Sequence, residues 1–194
     1  MADIEIVTTA KNDLSDYKWY GTVCDADGND GQFAELNCQA AGALYQDVIT
    51  YSGEKLSFSL NHRARGKNAN STPEYDTMYV VIMPTNKADG LTTQTSLENF
   101  INDQTDKSCA DQYTTEETKD IEFLTTKDKD VLIGRVTSDD QDWHYISAIE
   151  QYVAKSNMTR FFFVAGATAS GINTVGNFLD NVQFTQELPP ASPG

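Results

Sequence analysis

Residues 32–66 read QFAELNCQAAGALYQDVITYSGEKLSFSLNHRARG, and they decide the fold. Three strands follow one another here, and the last alternates Leu56, Phe58, Leu60 and His62 against Ser57, Ser59, Asn61 and Arg63. Successive side chains of a strand point to opposite faces, so this period of two describes a sheet with one buried face and one open face. His62 falls on the apolar side, where a histidine is more often a satisfied core residue than a ligand. Arg63 and Arg65 give the end of the strand a cationic tip.

Working outward, DIEIVTT (3–9) is a short first strand, and TMYVVIMP (77–84) is apolar on both faces, as an interior strand covered on each side must be. The pattern resumes with DIEFLTT (120–126), VLIGRVTS (131–138), WHYISAIEQYVA (143–154), TRFFFVAGA (159–167) and FLDNVQFTQ (178–186). In the last of these, unbroken alternation places Asp180 on the face of Phe178, Val182 and Phe184, so a carboxylate is expected to turn inward and to need a partner. Residues 85–119 interrupt the strands. Within them Thr95 and Glu98 form a capping-box pattern followed by Leu97, Phe100 and Ile101, which predicts a short helix at about 96–104. About nine or ten short strands with few helices predict an all-β sandwich. The domain expected is 1–186, with the insertion at about 85–119, and the Pro-rich ELPPASPG (187–194) reads as the start of a linker to neighbouring domains of a longer chain.

The formal charge of −15, from 14 Lys plus Arg against 29 Asp plus Glu, argues against nucleic acid and anionic membranes as partners. No apolar run approaches the ~20 residues that cross a bilayer, which argues against direct membrane insertion. Cys24, Cys38 and Cys109 cannot all pair within one chain. Two histidines, His62 and His144, and no CxxC spacing argue against a zinc site. GxSxG elbows, phosphate loops and dinucleotide fingerprints are all missing from the sequence, so no catalytic residue, metal ligand or required cofactor is assigned. Asp25, Asp27 and Asn29 have the first spacings of a calcium loop, with Glu35 further on, yet Asp30 and Leu36 stand where such a loop needs Gly and Glu. A turn between strands is the simpler account, with a structural calcium left open.

Aromatic side chains carry the ligand-binding expectation. Trp19 with Tyr20 and Trp143 with Tyr145 are two clusters of rings that could stack on the C–H face of a sugar. Tyr113 in the insertion is a further candidate. Arg63 and Arg65 would donate to vicinal hydroxyls, and Asp76 would accept. Each has a structural alternative: the tryptophans as core caps, the arginines as ion pairs at a strand end.

The ordered set ELNC, LYQDV, SLNHRARG, DTM, TRFFFV and GNFLDNV resembles bacterial surface and secreted domains with a galactose-binding-like jelly-roll β-sandwich. Asn61 and Ala64 depart from the DHRGR that such domains tend to carry. The resemblance implies a non-catalytic carbohydrate-binding module of an extracellular or cell-surface bacterial protein. Its partner would be a polysaccharide or oligosaccharide, with a neutral glucan such as starch the expectation that fits the acidity. The alternative is a protein-binding adhesin or scaffold domain; a glycosidase would need two placed carboxylates, and no motif selects a pair.

Overall fold

The alternating strand lies inside a sheet. The computed structural model describes residues 7–8, 20–21, 24–28, 31–38, 40–66, 73–109, 116–168 and 175–187. In chain order the strands are β1 Val7–Thr8, β2 Tyr20–Gly21, β3 Cys24–Gly28, β4 Gly31–Cys38, β5 Ala40–Ala41, β6 Ala43–Ile49, β7 Lys55–Arg63 and β8 Tyr75–Pro84. A 3₁₀ turn at Thr85–Lys87 and the helix α1 Gln94–Thr105 follow, then β9 Glu122–Leu124, β10 Leu132–Asp139, β11 His144–Val153, β12 Met158–Thr168 and β13 Val175–Glu187. One sheet runs β11-β7-β13-β4-β3, with β1 parallel to β13 and β5 on β4; the other runs β2-β6-β12-β8-β10-β9. This is a jelly-roll β-sandwich with one α-helix among the described residues.

The sheets meet through one apolar core. Leu56, Phe58, Leu60, Ile146, Leu179 and Phe184 from the seven-stranded sheet pack against Met78, Val80, Ile82, Phe161 and Phe163 from the six-stranded sheet. Phe161 and Phe184 sit 4.1 Å apart between ring centroids. The apolar half of the β7 alternation faces this core, and β8, paired to both β12 and β10, is interior as its sequence requires.

A second core lies on the far side of the six-stranded sheet. Tyr79, Val81 and Met83 of β8 and Phe162 and Val164 of β12 point away from the sandwich, and α1 covers them with Leu97 and Ile101. The helix of the insertion is therefore a cover over one sheet. It starts earlier than expected. Thr93, not Thr95, is the cap, and Ser96 returns the second capping bond. The Thr95–Glu98 pattern runs from the second to the fifth helical residue, and the helix buries Leu97 and Ile101.

One other expectation changes. Asp180 does not point into the core. Register pairs it with Asn61, and the next resolved pair is Gln183 with Ser59, so Asn181 and Val182 both stand opposite Leu60. This β-bulge, with Asn181 at φ 50°, reverses the parity of the strand. Leu179, Val182 and Phe184 go inward, while Phe178 and half-exposed Asp180 go outward. The aspartate-rich stretch after Cys24 is one arm of a hairpin in which Gly28 pairs with Gly31, and the Glu35 carboxylate is taken up by Arg65 and the Gly176 N–H. Asn29 lies outside the described residues.

Candidate functional site

The outward residues of β7, β11, β13 and β4 meet on the side of the seven-stranded sheet opposite the core. The register sets Tyr145, Asn61 and Asp180 in one row across β11, β7 and β13. One step along, Arg63 pairs with Phe178 and lies beside Trp143. The Arg63 guanidinium carbon is 5.0 Å from the Trp143 ring centroid and 5.5 Å from that of Phe178. Phe33 completes the cluster, edge-on to Trp143 at 5.3 Å and tilted on Phe178 at 4.7 Å. Phe33 and Phe178 are buried, Trp143 and Arg63 are half-buried, and Tyr145 is 63% exposed. The result graded from base to rim is an aromatic floor, a cation stacked on it and an open ring at the edge. Planar guanidinium stacked on aromatic faces is held in one orientation, so its in-plane N–H groups have a fixed aim.

Under this face runs a buried polar network at one end of the sandwich. Asp76 is 1% exposed, and its Oδ2 accepts from the Arg65 and Asn177 backbone N–H groups at 2.9 and 3.0 Å. Asn177 donates from Nδ2 to Asn37 Oδ1 at 2.8 Å and accepts at Oδ1 from His62 Nε2 at 2.8 Å. His62 Nδ1 then accepts from the Ser138 hydroxyl at 2.7 Å, an arrangement that a neutral imidazole satisfies. Burial holds His62 down at about 4, with the Asn177 bond working the other way and the charge of His144 adding a smaller push down. Buried polar groups paired this fully order the strand ends that carry them.

The residues singled out in the sequence separate accordingly. Arg63, Trp143 and Tyr145 share one face. Arg65 is drawn sideways into an ion pair with Glu35 at 2.7 Å, and Asp76 is interior, its carboxylate engaged by the backbone. The backbone of Tyr20 belongs to the edge of the six-stranded sheet, opposite Tyr45, so it is on the other sheet from Trp143. Trp19 and Tyr113 lie outside the described residues. Asn61, Asp180, Phe33 and Phe178 were not singled out as site residues. Cross-strand register brings them in, and the Ser-Ser-Asn-Arg alternation of β7 was the only local sign of it.

A cavity of about 220 Å³ between α1 and the six-stranded sheet is lined by Tyr79, Gln94, Glu98, Ile101 and Cys109 among others, and by none of the residues above. Burial pushes the Cys109 thiol up to about 11, so it is not a ready nucleophile.

No protein-family model matches the chain, and no curated protein matches it. Three of its neighbours among solved structures are carbohydrate-binding modules. One, of family 4, is 11% identical over 91% of this chain and 93% of that one, with a TM-score of 0.46. A family 61 module in complex with β-1,4-galactotriose is 8% identical over 90% of each chain, with a TM-score of 0.44. The family 11 module from Clostridium thermocellum, in complex with a β-1,3-1,4-mixed-linked tetrasaccharide, is 11% identical over 89% of each chain, with a TM-score of 0.34. Those ligands belong to those proteins.

Proposed function

We propose that the outer face of the seven-stranded sheet binds carbohydrate and that the chain is a non-catalytic carbohydrate-binding module. The observation that carries this reading is the convergence of Trp143, Arg63, Tyr145, Asn61 and Asp180 on one sheet face, while the helix lies over the other sheet. A pyranose offers an apolar C–H face and a ring of hydroxyls. Trp143, just before β11, and Tyr145, within it, offer two rings that suit the first. A guanidinium, an amide and a carboxylate side by side suit the second. The excess of acid disfavours a polyanionic glycan, which leaves a neutral one, and we propose a neutral glucan such as starch as the first ligand to test. Such a shallow, partly wet site has few contacts against its ordering cost, so affinity is expected in the micromolar to millimolar range. Display on an extracellular or cell-surface bacterial protein, beside other domains, would raise avidity.

The test is retention on a polysaccharide panel followed by titration of the best ligand against Trp143→Ala and Arg63→Ala. Binding to a neutral polysaccharide that falls about tenfold or more in each variant, with the fold intact by circular dichroism, is the expected result. A folded protein retained on no glycan overturns the reading. Binding that both variants keep moves the site off this face.

A further inference from the structure

On the inner side of the same strand start, three side chains from separate segments converge. Glu117 comes from the end of the insertion, Asp139 from the end of β10 and His144 from the start of β11, and their ligand atoms all lie within 4.8 Å of one another. Each is held from behind. Thr118 clamps the Glu117 segment to β10, its N–H donating to Thr137 O at 2.9 Å and its hydroxyl accepting from Thr137 N–H at 2.8 Å. The Asp139 carbonyl accepts from Ala64 N–H at 2.9 Å, and Asp139 Oδ1 accepts from Gln141 N–H at 3.0 Å. His144 is locked in register opposite His62. Glu117 Oε1, an oxygen shielded from solvent, is in direct contact with His144 Nε2. Two carboxylates and one imidazole brought together from three segments form a donor set that one divalent cation can bridge.

The geometry points to a binding site for a divalent transition metal, of the Zn²⁺ type, formed by Glu117, Asp139 and His144. One imidazole nitrogen with two carboxylate oxygens is a donor set that suits Zn²⁺, whereas Ca²⁺ takes six to eight oxygens and no nitrogen. Metal–ligand bonds of about 2.0–2.2 Å put tetrahedral donor atoms roughly 3.4 Å apart, so side-chain shifts of about 1 Å, apart for Glu117 and His144 and inward for the rest, bring the three atoms to that spacing. The fourth position is left to water. Because successive residues of a strand face opposite ways, a metal on His144 pins the start of β11, from which Tyr145 turns outward and which Trp143 directly precedes. Local sequence spacing gave no sign of the site, since its members stand at 117, 139 and 144 with no shared motif.

The experiment is a calorimetric titration of the intact chain with ZnCl₂ in chelator-free buffer, run beside CaCl₂, with amide chemical shifts followed by ¹⁵N NMR. No sugar is involved, so the outcome is independent of the carbohydrate reading. One Zn²⁺ per chain is expected, with shifts centred on 116–118, 139–141 and 143–145 and no comparable saturation by Ca²⁺. Removing a group that only supports a ligand costs about 10–100-fold in metal affinity, so His144→Ala and Glu117→Gln should each lose at least tenfold. Asp139→Asn, at a half-exposed strand end, should weaken binding while leaving the fold if either of those variants does not fold. Absence of saturable Zn²⁺ binding, shifts centred on the cysteines, or affinity unchanged in folded variants overturns the proposal.

Discussion

The two outer faces of the sandwich carry the same geometry and opposite chemistry. On the six-stranded sheet Tyr79, Val81, Met83, Phe162 and Val164 point outward, and α1 buries them. On the seven-stranded sheet Ser57, Asn61, Arg63, Tyr145 and Ser147 point outward, and none of them is fully buried. Each face also holds an arginine over two rings. Arg160 lies 4.4 Å from the Tyr45 centroid and 5.7 Å from that of Phe162, and it is locked in a two-pronged pair with Asp47 at 2.6 and 3.0 Å. Arg63 sits on Trp143 and Phe178 beside an exposed tyrosine. A sheet face that is apolar throughout recruits a cover from its own chain, because exposed apolar strands cost solvation; a face that alternates small polar groups with a few rings does not need one.

Breaking the covered face should therefore cost stability, and breaking the open face should cost binding. Phe162→Ala removes a fully buried ring between α1 and β12 and should lower unfolding free energy by about 3–5 kcal/mol in denaturant melts. If the loss is below 1 kcal/mol, the helix is not a tight cover.

The buried network gives the next largest effect. His62 binds its proton at about 4 when folded against an ordinary 6.5. Between those values the unfolded chain holds more protons than the folded one, so stability rises with pH. The contribution is fully present above 6.5 and is lost as pH falls through 4, a difference of about 3 kcal/mol. His62→Gln should flatten this part of the pH–stability profile relative to the parent, and an unchanged slope would assign it elsewhere.

The smallest stability effect belongs to the rim of the open face. Tyr145→Ala removes a mostly exposed ring and should change stability by no more than about 0.5 kcal/mol, while weakening glycan binding in the same titration that tests Trp143→Ala. A large loss of stability would make Tyr145 part of the core and reverse the contrast between the faces.

Legibility in the sequence followed the range of the interaction. The alternation at 55–63 and the doubly apolar run at 77–84 report local burial, and each strand then takes the environment its pattern asks for. Asp180 was misplaced because a single inserted residue flips every side chain after it, and a bulge leaves no mark in a polar–apolar string. Asp76 had the right chemistry for a ligand contact and the wrong depth. Its partners, the N–H groups of Arg65 and Asn177, come from segments 11 and 101 residues away.

By itself, then, the amino-acid sequence determined the sandwich, its interior strand, the helical insertion and the residue types available for a ligand. Side-chain period, capping groups and charge are properties of neighbours along the chain. Only the tertiary structure decided which rings share a face, which sheet the insertion covers, and that Glu117, Asp139 and His144 meet. Those depend on register between distant strands, where a shift of one residue exchanges inside for outside.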